Sequence, residues 1–148
     1  MPHIDQLAVL TAADQAAIEL PLDEFTRTRG FVWNPKPFAL ALRDDSGGIR
    51  GGLIGSLQWS WLRIDILSVA EDWRGAGWGR RLVEEAERLA VATGCRQAWV
   101  DTFSFQSPGF YLRLGYRVFG ELPDYPPGQT RYFLAKVLTP SLQGRKYG

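Results

Sequence analysis

The stretch Ser68-Val-Ala-Glu-Asp-Trp-Arg-Gly-Ala-Gly-Trp-Gly-Arg-Arg-Leu82 sets glycines at 75, 77 and 79 between an apolar run ending at Val69 and the start of a helical pattern. A glycine loop leading from a strand into a helix suits phosphate. Without side chains the backbone N–H groups can approach an anion, and the helix start adds about half a unit of positive charge there. Glycines alone fit a tight turn needing positive φ equally well. Arg74, Arg80 and Arg81 break the tie, because they crowd a helix start, where the macrodipole repels cations and Asp or Glu is usual. Exposed Arg80–Glu84 and Arg81–Glu85 pairs would contribute only ~0.3 to 0.5 kcal/mol each and leave Arg74 unexplained. A bound pyrophosphate accounts for all three arginines.

Two phosphate fingerprints are excluded. Gly-x-Gly-x-x-Gly fails because Arg80 stands where the third glycine belongs, and no Gly-Lys-Ser or Gly-Lys-Thr follows the loop. Only Asp101, at the end of the next apolar run, keeps a dinucleotide reading alive, as a partner for a ribose hydroxyl. Cys95 and His3 are the sole residues of their kinds, which removes zinc fingers, disulfide frameworks and histidine-based hydrolase triads. A net charge of +1 argues against a general polyanion binder. With no basic-then-apolar leader and no run of about 18 apolar residues, a soluble cytoplasmic protein is expected.

The elements that must position these residues follow from pattern. Thr11 caps an Ala-rich helix, and Pro21 and Gly30 bracket a second short one. Phe38–Leu42 and Ile49–Trp59 flank the turn 44–48 as a hairpin, and Trp61–Val69 reads as a buried strand. Leu82, Ala86, Leu89 and Ala90 recur at helical spacing up to Gly94. Gln97–Phe103 is a strand, Ser107, Pro108 and Gly115 delimit a short helix, and Tyr116–Leu122 and Thr130–Leu138 close the chain as strands. The order implies a mixed α/β sheet covered by helices.

Arg74-Gly-Ala-Gly77-Trp-Gly79 matches Arg/Gln-x-x-Gly-x-Gly/Ala, and Phe110-Tyr111-Leu-Arg-Leu-Gly115-Tyr116 matches an aromatic-Tyr-x-x-x-Gly-aromatic segment. In both motifs and their spacing the chain resembles the GNAT superfamily of acyl-CoA-dependent N-acetyltransferases. Where many members carry an Asn before the second helix, this chain has Ser104, Gln106 and Ser107. The resemblance implies one GNAT-like domain over residues 1–148, with a mixed, mostly antiparallel twisted sheet of about six to seven strands flanked by about four helices. It implies acetyl-CoA as cosubstrate, held by Leu67, Ser68, Val69, Arg74, Gly75, Ala76, Gly77, Trp78, Gly79, Arg80, Ser107 and Tyr111. The pyrophosphate would lie on the 74–80 loop and the pantetheine arm along the strand ending at Val69, with the Leu67 N–H facing the developing oxyanion.

Amine acetylation poses two proton problems. An alkylamine of pKa near 10.4 must lose a proton, and a departing thiolate of pKa near 8.5 benefits from gaining one. By resemblance Tyr111 is the acid. For the base, Asp65 and Asp101 stand inside apolar strand runs, where burial raises a carboxyl pKa; period-two alternation puts Asp65 on one face with Leu67 and Val69. Either carboxylate is equally readable as the structural partner of Arg63 or Arg96, Glu121 is a weaker candidate, and a water chain is the remaining route. The resemblance puts a cationic amine acceptor, of a small molecule or peptide, among Phe31, Trp33, Trp59, Trp61, Tyr125 and Tyr132, any of which is equally readable as core or rim. No metal, nucleic acid or membrane partner is expected, and relatives often form homodimers. Two other readings stay open: a non-catalytic acyl-CoA sensing module and a small NAD-binding domain.

Overall fold

The structure, a computed structural model, describes residues 1–138, and the chain forms two compact units, 1–34 and from residue 35 onward. In the first unit, Thr11 Oγ1 accepts the Asp14 N–H at 3.1 Å and caps α1 (Ala12–Thr28). The helix runs through Pro21 without a break. Proline removes only the bond to the carbonyl four residues back, and Thr26 Oγ1 and Thr28 Oγ1 tie the last turns to the Leu22 and Phe25 carbonyls. One helix therefore stands where two were expected. The described residues hold three α-helices, not about four.

The second unit is a six-stranded sheet of β1 (Lys36–Arg43), β2 (Ile49–Gln58), β3 (Trp61–Val69), β4 (Gln97–Phe103), β5 (Arg117–Pro123) and β6 (Thr130–Val137), ordered β1-β2-β3-β4-β6-β5. Every pairing is antiparallel except β3–β4, which α2 (Trp78–Ala92) connects. The hairpin turn is set by Asp44, whose carboxylate accepts from the Ser46 hydroxyl and the Ser46 and Gly48 N–H groups. Leu82, Val83, Ala86 and Ala90 form the buried stripe of α2 and pack in one core with Leu53, Leu62, Ile64, Ala98, Val100 and Leu134. Each large aliphatic among them contributes roughly 1.5 to 3 kcal/mol by leaving water. The short α3 (Pro108–Arg113) joins the same core through Tyr111, and Tyr116 just beyond it donates to Glu87 of α2 at 2.8 Å.

Two irregularities shape the middle of the sheet. β3 pairs with β4 only from Trp61–Gln97 to Ile64–Val100; beyond that β3 follows β2 to Val69 and β4 follows β6 to Phe103. The sheet therefore forks at Asp65 and Asp101. In the same place Ile54 opposes Ile66 and Gly55 opposes Ile64, leaving Asp65 as the extra residue of a bulge. Only glycine fits at 55, since a Cβ there would lie 2.5 Å from the Arg63 carbonyl oxygen. The bulge shifts the phase of the strand, so the core face reads Leu62, Ile64, Leu67, Val69. Asp65 thus does not share a face with Leu67 and Val69, as strict alternation suggested.

Candidate active site

The glycine loop leaves the start of α2 open. Gly77 is its N-cap at φ +86°, with no side-chain cap and no acidic residue in the first turn, whereas α1 has both Thr11 and Asp14. The first ladder bond runs from the Arg81 N–H to the Gly77 carbonyl, so the N–H groups of Trp78, Gly79 and Arg80 have no intrahelical acceptor. A Cβ on Gly75 or Gly77 would meet nothing within 4 Å, so the space over the loop is clear. Gly79 has a different reason: a Cβ there would come within 3.3 Å of the Phe110 ring, so it lets α2 approach α3.

The arginines divide. Arg74 Nε donates to the Val69 carbonyl at 2.9 Å and clips the loop to the end of β3. Arg80 pairs with Glu84 at 3.0 Å. Arg81 makes no pair with Glu85, which is taken by Arg88; its guanidinium lies 4.4 Å over the Trp78 ring. Sequence reasoning missed Arg50, which joins Asp72 at 2.7 Å and sits 5.8 Å over Trp73, itself 6.2 Å from Trp78. Arg50 and Asp72 are brought together by the β2–β3 ladder across 22 residues, so no local signal reveals the pair.

The fork supplies a free backbone edge. The Ala70 N–H donates to Arg50 O at 2.7 Å on the β2 side. Alternation then turns the N–H and C=O groups of Leu67 and Val69 away from β2 and into the fork. Because Arg74 takes the Val69 carbonyl, the groups left are both of Leu67 and the Val69 N–H. Ser68 is exposed, with its amide on the β2 side, and Ser107 is exposed at the start of α3. An open diphosphate seat beside an extended edge with unspent amide groups fits the two halves of a coenzyme A thioester.

Tyr111 is 7% exposed, held edge-on between Phe110 at 5.0 Å and Tyr116 at 5.7 Å. Burial first, and then the negative charge of Asp101, push its phenol up to about 12. The neutral phenol is thus favoured by folding. That stabilisation is complete below the unfolded value near 10 and is lost as pH rises through 12, roughly 2 to 3 kcal/mol in all. Urea unfolding at pH 9 and at pH 11.5 should therefore show the wild type losing about 2 kcal/mol more stability than Tyr111→Phe over the interval, most of the total.

Asp101 lies 15% exposed at the fork and pairs with Arg131 across the β4–β6 ladder, neither with Arg63 nor with Arg96. Nε and Nη2 of Arg131 both donate to Oδ2 at 2.6 Å, so Oδ1 is left unengaged. The Arg131 guanidinium also donates to the Tyr125 hydroxyl at 3.1 Å and lies 5.0 to 5.5 Å from the rings of Tyr125, Phe133 and Phe103. Asp65, 35% exposed at the bulge, pairs with Arg63 at 2.8 Å. Glu121 is exposed on β5. Of the aromatic candidates for the acceptor, Trp61 lies on the sheet face away from α2, and Tyr125 stacks on Phe103 at 5.9 Å. Tyr132 packs against the core instead. Phe31 and Trp33 belong to the first unit, and Trp59 forms the β2–β3 turn.

This fork, with an open helix N-terminus at its mouth, agrees with the family comparison: the Acetyltransferase (GNAT) family model matches residues 6–116, and the chain belongs to that family. It is an acetyltransferase, and acetyl-CoA is its acyl donor. Over 95 residues, 64% of this chain and 70% of the other, it is 48% identical to the blasticidin-S acetyltransferase of Streptomyces morookaense. An acetyltransferase of Agrobacterium fabrum is 30% identical over 128 residues, 86% of this chain and 93% of the other. A crystal structure of an acetyltransferase from Bacillus cereus, 31% identical, superposes with a TM-score of 0.82 over 93% of this chain and 98% of that one. The dinucleotide reading falls with the topology: apart from β3–β4 the sheet is antiparallel, and Asp101 is engaged by Arg131. No helix among the described residues is long and apolar enough to cross a membrane.

Proposed function

We propose that the whole chain acts as one cytoplasmic domain that acetylates a primary amine, by direct attack in a ternary complex with acetyl-CoA, with Tyr111 as general acid. The observation that carries this reading is the forked sheet, which frees the Leu67 N–H to face the thioester oxygen as negative charge develops there. The N–H groups at the start of α2 and Arg74 hold the diphosphate, and the Leu67 and Val69 edge aligns the arm. Tyr111, up to about 12, keeps its proton at every physiological pH. Full transfer to a free thiolate of pKa near 8.5 would be uphill by about 5 kcal/mol. Tyr111 therefore hydrogen-bonds to the sulfur as the carbon–sulfur bond breaks, and the proton it passes to the thiolate is replaced by the one that the acetylated nitrogen releases.

An alkylamine of pKa near 10.4 costs about 5 kcal/mol to deprotonate at pH 7. Asp101 is the favoured base, since its Oδ1 is unengaged and its charge reaches Tyr111; Asp65, neutralised by Arg63 on the bulge, is the second candidate. The likeness to a blasticidin-S acetyltransferase favours a small-molecule acceptor and makes blasticidin S the first amine to try. Purified protein should gain melting temperature with acetyl-CoA and release CoA thiol with a subset of an amine panel. Asp101→Asn should lower that release ~10-fold or more, and Asp65→Asn less. Binding without release from any amine, blasticidin S included, would remove the amine reading.

A further inference from the structure

On the sheet face away from α2, four rings from four strands line one groove: Trp61 of β3, Trp99 of β4, Phe133 of β6 and Phe119 of β5. It is a shallow, open groove of about 410 Å³, room for a small-molecule group lying flat on the rings. Phe119 is there because of a second bulge. Val118 opposes Leu134 and Gly120 opposes Phe133, so Phe119 is the extra residue; its ring stands 59% exposed, 6.3 Å from that of Phe133. The groove adjoins the fork. Phe133 lies opposite Asp101, and Trp99 is two residues before Asp101, roughly 7 Å along the strand.

The rings are not a cage for a cation. Arg63 already lies 4.8 Å over Trp99 and Arg131 5.2 Å over Phe133, and each guanidinium is neutralised, by Asp65 and Asp101. What remains is flat apolar surface, for which a planar ring gains ring–ring attraction beyond the area it buries. We propose that this groove is the specificity site of the acceptor and takes a neutral aromatic or heteroaromatic ring, carried two or three bonds from the amine that enters the fork. The inference rests on the amine-acetylating reading above.

Tryptamine and hexylamine test it. The wild type should favour tryptamine at least tenfold in kcat/KM, through KM, and Phe119→Ala should bring the ratio close to one while the melting shift with acetyl-CoA persists. Phe119 is exposed, so its truncation leaves the fold standing. A ratio near one in the wild type, or one unmoved by Phe119→Ala, overturns the proposal. Should no amine be turned over, the indole N–H resonances of Trp61 and Trp99, assigned by Trp61→Phe and Trp99→Phe, still decide. Selective shifts on adding tryptamine support the groove, and unmoved resonances overturn it. A concentration-dependent dimer that Phe119→Ala dissociates would assign the groove to a second copy of the chain and equally overturn it.

Discussion

Gly77→Asp should abolish acetyl-CoA binding and leave a folded protein. The position is the N-cap of α2 at φ +86°, and a Cβ there meets no protein atom within 4 Å, so the added side chain projects into the space over the loop. Backbone strain from a non-glycine residue in the left-handed region costs roughly 1 to 2 kcal/mol, well inside the roughly 5 to 15 kcal/mol that holds a domain folded. The effect on the ligand is larger. A carboxylate about 4 Å from a phosphate charge opposes it by about 4 kcal/mol at an effective dielectric near 20, a loss on the order of 10³-fold in affinity. Gly77→Ala shares the strain without the charge and should lose much less. Circular dichroism and the melting shift on adding acetyl-CoA measure both parts. An unchanged shift in Gly77→Asp would place the diphosphate elsewhere.

Tyr111→Phe should reduce kcat by about 10²-fold or more while acetyl-CoA binding holds. The substitution removes one oxygen and keeps the ring that packs edge-on against Phe110 and Tyr116. A role in packing alone would change stability and spare kcat. A neutral phenol held up to about 12 predicts, in addition, no alkaline fall in wild-type activity from this group below pH 10. Single-turnover release of CoA thiol with saturating amine separates the chemical step from binding; equal rates in the two proteins would dismiss Tyr111 as the acid.

Most of the elements were legible because their signals are local. Trp61–Val69 starts on an aromatic and ends on a β-branched residue, Gln97–Phe103 ends on an aromatic, and Gly94 and Gly115 stop their helices at φ +96°. Pro21 misled, since a missing N–H reads as a break while the cost of one lost bond is borne by the rest of a 17-residue helix. Arg81 misled for a related reason: four-residue spacing permits a Glu85 pair, but Trp78 and Arg88 compete for its two members.

Chain order and residue type suffice for the glycine loop, its uncapped helix and the Tyr111 segment, because each is built within about seven residues, where neighbours in sequence are neighbours in space. Folding was needed for the rest. Asp101 finds Arg131 30 residues away, Asp65 is turned from its expected face by one unpaired residue, and two adjacent strands part after four pairs. Register between distant strands is settled by the packing of whole sheet faces, and no short window of residues carries that sum.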